Sequence, residues 1–177
     1  MRQHGYSRRR TWRKLTILLD SDNQEIITAQ LSTNDYHDKE ILPDLLKGGD
    51  EVLGNAAGDG DYDSHECFNA IKNKGGSPLI VERKDASIKQ HGNSHLFPLP
   101  RDEVIRSIRK MGKKGWKTSA GYHQRSLAET AMFRYKRIFG GHLNNHLFEH
   151  QATEAFICCS ALNLITQMGM PESYAVN

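Results

Sequence analysis

Lys14-Leu15-Thr16-Ile17-Leu18-Leu19-Asp20 is a run of apolar and β-branched residues that stops at the polar cluster Asp20-Ser21-Asp22-Asn23. Glu25-Ile26-Ile27-Thr28-Ala29-Gln30-Leu31 follows with the same character. Two such runs joined by a short polar loop predict an antiparallel hairpin. Asn34 and Asp35 then offer a cap, and Ile41, Leu42, Leu45 and Leu46 recur at helical spacing up to Gly48-Gly49. Pro43 fits that helix only in its first turn or at a bend. Val52 to Ala57 reads as a weak strand ending in Gly58-Asp59-Gly60-Asp61-Tyr62-Asp63. Ser64 to Lys74 reads as a helix with Cys67, Phe68 and Ile71 on its inner face, closed by Gly75-Gly76. Leu79-Ile80-Val81 is a short buried strand. The order β-β-α-β-α-β predicts an α/β fold with a mixed sheet and flanking helices.

Beyond this half, residues 82–100 read as a loop or mobile insertion. Arg101 to Lys117 reads as a basic amphipathic helix with Val104, Ile105, Ile108 and Met111 as its apolar stripe and Gly-Lys-Lys-Gly-Trp as its tail. Helices follow at about 121–139 and 148–168. A length of 177 residues suits a single core. The longest apolar stretch, around Ala155 to Ile165, is broken by Ser160 and Asn163. That is far short of the ~20 apolar residues a membrane crossing requires. Met1 leads into Arg8-Arg9-Arg10 without the apolar segment of a signal peptide. Cys67, Cys158 and Cys159 form no CxxC pair and read as buried thiols of a reducing compartment. A soluble, cytoplasmic domain is expected.

The net charge of +3 conceals an uneven layout. Residues 1–14 carry six bases and no acid, residues 15–66 thirteen acids and two bases, and residues 67–177 sixteen bases and eight acids. Basic ends around an acidic middle suit a polyanion gripped beside divalent cations; an unevenly charged solvated surface fits the same numbers.

The stretch with chemistry is Gly121-Tyr122-His123-Gln124-Arg125-Ser126-Leu127-Ala128-Glu129-Thr130-Ala131-Met132-Phe133-Arg134-Tyr135-Lys136. On an ideal helix, advancing ~100° per residue, Tyr122, Arg125, Glu129 and Lys136 share one narrow arc, with Leu127, Ala131, Tyr135 and Ile138 opposite. A single carboxylate flanked by bases suits a metal ligand beside phosphate-gripping cations. An ordinary solvated helix with an i,i+4 Arg125–Glu129 pair fits equally.

Tyr-x2-Arg-x3-Glu-x6-Lys resembles the signature around the last acid of bacterial insertion-sequence transposases of the DDE type. Three further blocks are similar to that family: Arg2 to Leu15, which resembles the run after its first catalytic strand; Gly58 to Asp63, which resembles the block of its second acid; and Ala161-Leu162-Asn163. The resemblance implies an RNase H-like mixed sheet and DNA cleavage and transfer through three acids and two Mg²⁺ or Mn²⁺ ions. Asp59 takes the second acid's position, with Asp61 and Asp63 as rivals whose other role is capping the next helix, and Glu129 takes the third. Asp59 and Glu129 are thereby the expected catalytic and metal-binding residues. Tyr122, Arg125 and Lys136 would position DNA, aided by Arg9, Arg10, Trp12, Arg13 and Lys14; Trp12 would either stack on a base or anchor the first strand. The Arg101–Lys117 helix would add a phosphate-facing surface.

The sequence departs from the family at its first acid, which belongs on a strand upstream of the Arg2-Gln3-His4-Gly5 block. Asp20 matches the end of the second strand, where the family acid is not catalytic. The expectation is therefore a partial DDE catalytic domain over 1–177, with 82–117 as an insertion and the first, central strand missing. Such a domain is N-terminally truncated or split-frame, inactive unless an upstream-frame polypeptide supplies strand and acid. Its partners would be transposon terminal inverted repeats, target DNA and itself or that polypeptide, with no membrane, near the nucleoid. The alternatives are a non-catalytic DNA-binding remnant that regulates full-length transposase and a different RNase H-like nuclease. His142, His146 and His150 repeat at i, i+4 and i+8, but Gly140-Gly141 and Asn144-Asn145 favour a loop over a zinc-binding helix face.

Overall fold

A computed structural model describes residues 12–47, 52–91 and 96–169. The hairpin forms as expected. β1 (Arg13–Leu19) pairs antiparallel with β2 (Ile26–Thr33), Leu15 opposite Leu31, with a register shift between Leu18 and Leu19. Side chains alternate across a strand, so β1 sends Leu15, Ile17 and Leu19 to one face and Leu18 to the other. The first set packs with Ile26, Tyr135, Cys159 and Leu162, while Leu18 packs against Leu46, Phe68, Ile71 and Ile80.

α1 (Asp38–Lys47) buries Ile41, Leu45 and Leu46. Pro43 lies in its second turn, not its first. A proline there cannot donate to the carbonyl four residues back, which is Lys39. The Cys67 thiol donates to that carbonyl at 3.3 Å, from the neighbouring helix α2 (His65–Asn73). α2 has Ser64 as its N-cap, accepting from the Cys67 N–H at 3.2 Å, and buries Cys67, Phe68 and Ile71. Gly75, at φ +77, ends it in the left-handed conformation open to glycine.

β3 (Asn55–Gly58) and β4 (Ser77–Ile80) pair in parallel, Gly58 opposite Ile80. The single mixed sheet expected from the element order is thus two small sheets, β1–β2 and β3–β4, among the described residues. Residues of β1 and β3 line one groove of about 290 Å³, and the two strands belong to separate sheets among the described residues.

α3 (Pro100–Ser119) runs on through the Gly-Lys-Lys-Gly-Trp segment, with Gly112 at φ +73 breaking it into two pieces. That break turns Met111 outward and Trp116 into a small core with Val81, Ile108 and Tyr122. The N-terminal end of α3 is held by a buried ion pair: Arg101 Nε and Nη2 donate to the Asp63 carboxylate at 2.6 and 3.0 Å. Asp102, fully buried, accepts the Lys89 and Gln90 N–H groups at 3.0 and 2.7 Å and so anchors the loop after β4.

Tyr122–Arg125 forms one 3₁₀ turn before α4 (Ser126–Phe139), which buries Ala131 and Tyr135 but leaves Ile138 exposed. α5 (Phe148–Gln167) lies on β2, where Asn163 binds strand backbone as a strand would. Its side chain accepts the Ile26 N–H at 2.8 Å and donates to the Ile26 carbonyl at 2.9 Å. Cys159 is buried and Cys158 partly so, and both are free thiols. Burial pushes the Cys159 thiol up to about 11. Among the described residues no helix is long and apolar enough to cross a membrane.

Glu154 of α5 gathers the N–H groups of Asn144 and Asn145 and both their side-chain amides at 2.8–3.0 Å. These bonds, the Asn144 N–H foremost, pull its carboxyl from 4.5 down to about 2. A depressed folded-state pKa stabilises fully above the unfolded value and is lost as pH falls through the folded one. The Tm difference between wild type and Glu154→Gln should therefore be constant above pH 4.5 and close as pH falls to about 2. Asn163→Ala strands the Ile26 amide and should lower stability by about 1–3 kcal/mol in urea unfolding, with m unchanged.

Candidate metal and nucleic-acid site

β3 ends at Gly58, and the chain turns at once through the 3₁₀ turn Gly60–Tyr62. A Cβ on Gly58 would meet the Tyr62 ring at 3.0 Å, so glycine lets Tyr62 fold back over the strand end. Asp59 caps the turn, its Oδ1 accepting the Asp61 N–H at 3.0 Å. Its other oxygen faces the start of α4, where Arg125 Nη1 lies 3.8 Å away. Arg125 Nη2 also donates to Glu129 Oε1 at 2.6 Å, one helical turn along. One guanidinium thus bridges two carboxylates that are about half exposed, at 47% and 61% of the side chain.

Tyr122 sits beneath this trio. Its hydroxyl donates to the Gly58 carbonyl at 2.9 Å, and its ring contacts Trp116 at a centroid distance of 6.0 Å. Burial raises its pKa, opposed by Arg125 and aided by Asp59 and Glu129. The phenol therefore stays protonated and ties the 3₁₀ turn before α4 to the end of β3. Lys117 Nζ covers its ring at 5.1 Å and the Arg125 guanidinium carbon lies 6.0 Å from it.

The three acids of the Gly58–Asp63 block have separate surroundings. Asp61 is exposed, with its carboxylate 3.6 Å from Arg83. Asp63 is buried and fully engaged, by Arg101 and by the Arg83 N–H at 3.0 Å. Ser64, not Asp63, caps α2. Asp59 alone of the three lines the groove between β1 and β3, together with Arg125 and Glu129. Asp20 accepts the Asp22 N–H in the hairpin turn and lies outside that groove.

Lys136 lines an adjoining pocket of about 750 Å³, along with Trp12, Arg13 and His142. Lys14, Leu15 and Met132 border both spaces. Trp12 stands outside β1 and is 66% exposed, a ring face open to solvent. Arg13 lies 5.4 Å over the Phe148 ring and its Nε donates to Gln151 at 2.8 Å. Lys14 donates to Asp38 at 2.8 Å and to the Tyr36 carbonyl. Arg9 and Arg10 lie outside the described residues. Several bases of α3 are likewise engaged: Arg106, Arg109 and Lys113 donate to the carbonyls of Gln90, Ala86 and Glu82. Lys110 and Lys114 of the same helix have no acidic partner among the described residues.

Among the described residues no three His, Cys, Asp or Glu side chains gather as a metal cluster, His142, His146 and His150 included. The two-carboxylate set still suits one hard cation. Its free donors are oxygens, it opens to solvent, and a cationic guanidinium already sits in its field. The link from Asp59 to Arg125 is the feature sequence reading lacked, since i,i+4 spacing showed only the Arg125–Glu129 half.

Asp63→Ala should cost about 3–5 kcal/mol, because it leaves the Arg101 charge buried and unpaired. Asp59→Ala should cost about 1 kcal/mol in the same denaturation experiment, well below Asp63→Ala, because it removes only a half-exposed cap of the 3₁₀ turn.

No solved structure matches this chain. A family model described as a transposase DDE domain matches residues 1–164, nearly the whole sequence. The chain belongs to the transposase DDE domain family.

Proposed function

We propose that this chain is a transposase catalytic domain over 1–177, on an RNase H-like framework, that acts on DNA phosphodiesters with Asp59 and Glu129 as its metal-binding acids. The observation that carries the reading is the Asp59–Arg125–Glu129 constellation, set where a strand end and a helix start converge on an open groove. A bound Mg²⁺ or Mn²⁺ would polarise a phosphodiester oxygen and favour ionisation of the attacking hydroxyl. The remaining roles belong to the chain's own side chains. Asp59 and Glu129 would hold the cation through their carboxylates. Arg125, released from that pair, would grip non-bridging phosphate oxygens in its planar fork. Tyr122, fixed to Gly58, would keep the α4 start in register with Asp59. Lys136, Arg13 and Lys14 would contact the backbone from the adjoining pocket, where the exposed Trp12 ring offers a stacking surface.

The DDE chemistry takes three acids; of the three that line the groove among the described residues, Asp38 is paired with Lys14 at 2.8 Å, which leaves Asp59 and Glu129. These 177 residues are therefore expected to bind DNA without cutting it until a third carboxylate is brought beside Asp59 and Glu129.

The test pairs two assays. Fluorescence anisotropy with a labelled duplex and Mg²⁺ should show binding that weakens at least about tenfold from 50 to 200 mM salt, and about tenfold again in Arg125→Ala. Supercoiled plasmid incubated with the protein and Mg²⁺ or Mn²⁺ should remain unnicked. Absence of low-salt DNA binding would sink the DNA reading. Nicking by the wild type that Asp59→Ala abolishes would sink the claim that two acids are insufficient.

A further inference from the structure

The Tyr122 ring carries two cations. Lys117 Nζ lies 5.1 Å from its centroid and the Arg125 guanidinium carbon 6.0 Å. The face of an aromatic ring attracts a cation weakly, and it offsets only part of the repulsion between two of them. Arg125 has its counter-charge in Asp59 and Glu129. Lys117 is exposed and has no acidic partner among the described residues. The site therefore holds one cation more than its own carboxylates address.

What lies behind Lys117 fixes its position. Trp116, its neighbour in the chain, is buried with Val81, Ile108 and Tyr122. The Ala120 N–H donates to the Trp116 carbonyl at 2.9 Å and closes the last turn of α3. The Lys117 side chain thus starts from an anchored point and ends over the ring that ties α4 to β3. Other bases of α3 are committed elsewhere: Arg101 to Asp63, and Arg106, Arg109 and Lys113 to loop carbonyls. Tyr122 itself has no proton to offer a ligand, since its hydroxyl donates to the Gly58 carbonyl at 2.9 Å. The free donor at this spot is the Lys117 ammonium, with three N–H groups.

We propose that Lys117 is a DNA-contacting residue of this site, which together with Arg125 seats one stretch of phosphate backbone beside Asp59 and Glu129. The Tyr122 ring is the platform that holds both cations. The inference rests on the DNA reading above and adds to it a residue and a pairing. The competing role for Lys117 is a structural one, a base in the last turn of α3 facing the negative end of the helix dipole.

The test extends the anisotropy assay, with Mg²⁺ and the same labelled duplex, to five variants. These are Lys117→Gln, Lys117→Arg, Arg125→Ala, the double variant Lys117→Gln with Arg125→Ala, and Lys72→Gln. Lys72, in the last turn of α2 and outside the groove, matches the charge lost. Lys117→Gln should weaken binding about tenfold and lower the slope of log affinity against log salt by about one, with Tm unchanged. Lys117→Arg and Lys72→Gln should stay within about twofold of wild type. Because both cations serve one seat, the double variant should bind at least about threefold tighter than the product of the two single losses predicts. Multiplicative losses would overturn the proposal, as would an equal loss in Lys72→Gln or a loss in Lys117→Gln that follows a lowered Tm. Unchanged binding in Lys117→Gln would overturn it and leave the DNA reading standing. A wild-type chain that does not bind the duplex would remove both.

Discussion

The buried ion pair between Asp63 and Arg101 is the joint on which the candidate site depends. Asp63 lies four residues after Asp59, at the far end of one tight turn. Its carboxylate takes two bonds from Arg101 at the start of α3 and a third from the Arg83 N–H just past β4. Arg101 spends its remaining nitrogen on the Ser87 carbonyl. Three segments distant in sequence are therefore fixed to the turn that presents Asp59. Desolvation makes a buried pair a weak source of net stability, yet losing either partner is severe. Such a pair specifies geometry more than it adds stability, and the geometry it specifies here is the direction of Asp59.

A second constraint acts from the other side. The Tyr122 hydroxyl reaches the Gly58 carbonyl, so the start of α4 is tied to the end of β3 by a bond sixty-four residues apart in sequence. Asp59 and Glu129 approach one another because both ends of this arrangement are braced, Asp63 on α3 and Tyr122 on β3. Arg125 then settles between two like charges whose repulsion it relieves. The site is held from behind by buried groups while its acids remain exposed, which leaves them open to exchange partners.

Much of this fold could be read in the residues. The β1–β2 hairpin, the inner face Cys67-Phe68-Ile71 and the burial of Ala131 and Tyr135 all follow from apolar periodicity, a local signal. What escaped reading was non-local or conformational. No sequence pattern marks Arg101 as the partner of Asp63 or Asn163 as the cap on Ile26, since each pair spans 38 or 137 positions. The break in α3 at Gly112 depends on a positive φ that only the surroundings of Trp116 justify. On the helical wheel Tyr122 shares an exposed arc with Glu129, but the wheel assumes a helix that begins four residues before α4 does. The acid pair was legible through the resemblance, and its bridging by Arg125 was not. Pro43 shows the same limit: its place in α1 is tolerated because a thiol on α2 satisfies the carbonyl it orphans.

The charge layout takes on a different meaning in the folded chain. Read along the sequence, the basic segment after residue 100 is a surface for phosphates. In the structure, Arg106, Arg109 and Lys113 spend hydrogen bonds on the carbonyls of the loop after β4, and Arg101 is buried. That loop has no strand or helix among its described residues to satisfy its backbone, and buried or half-buried carbonyls need donors. Side-chain cations on α3 supply them, so part of the basic character is a structural requirement of a long irregular segment. Arg13 and Lys14 are similarly committed, to Gln151 and Asp38. A polyanion meeting this surface competes with bonds already made at those positions. Lys110, Lys114 and Lys136 have no acidic partner among the described residues, whereas Arg125 is held between Asp59 and Glu129. Any anion that meets Arg125 therefore competes with two carboxylates already paired with it.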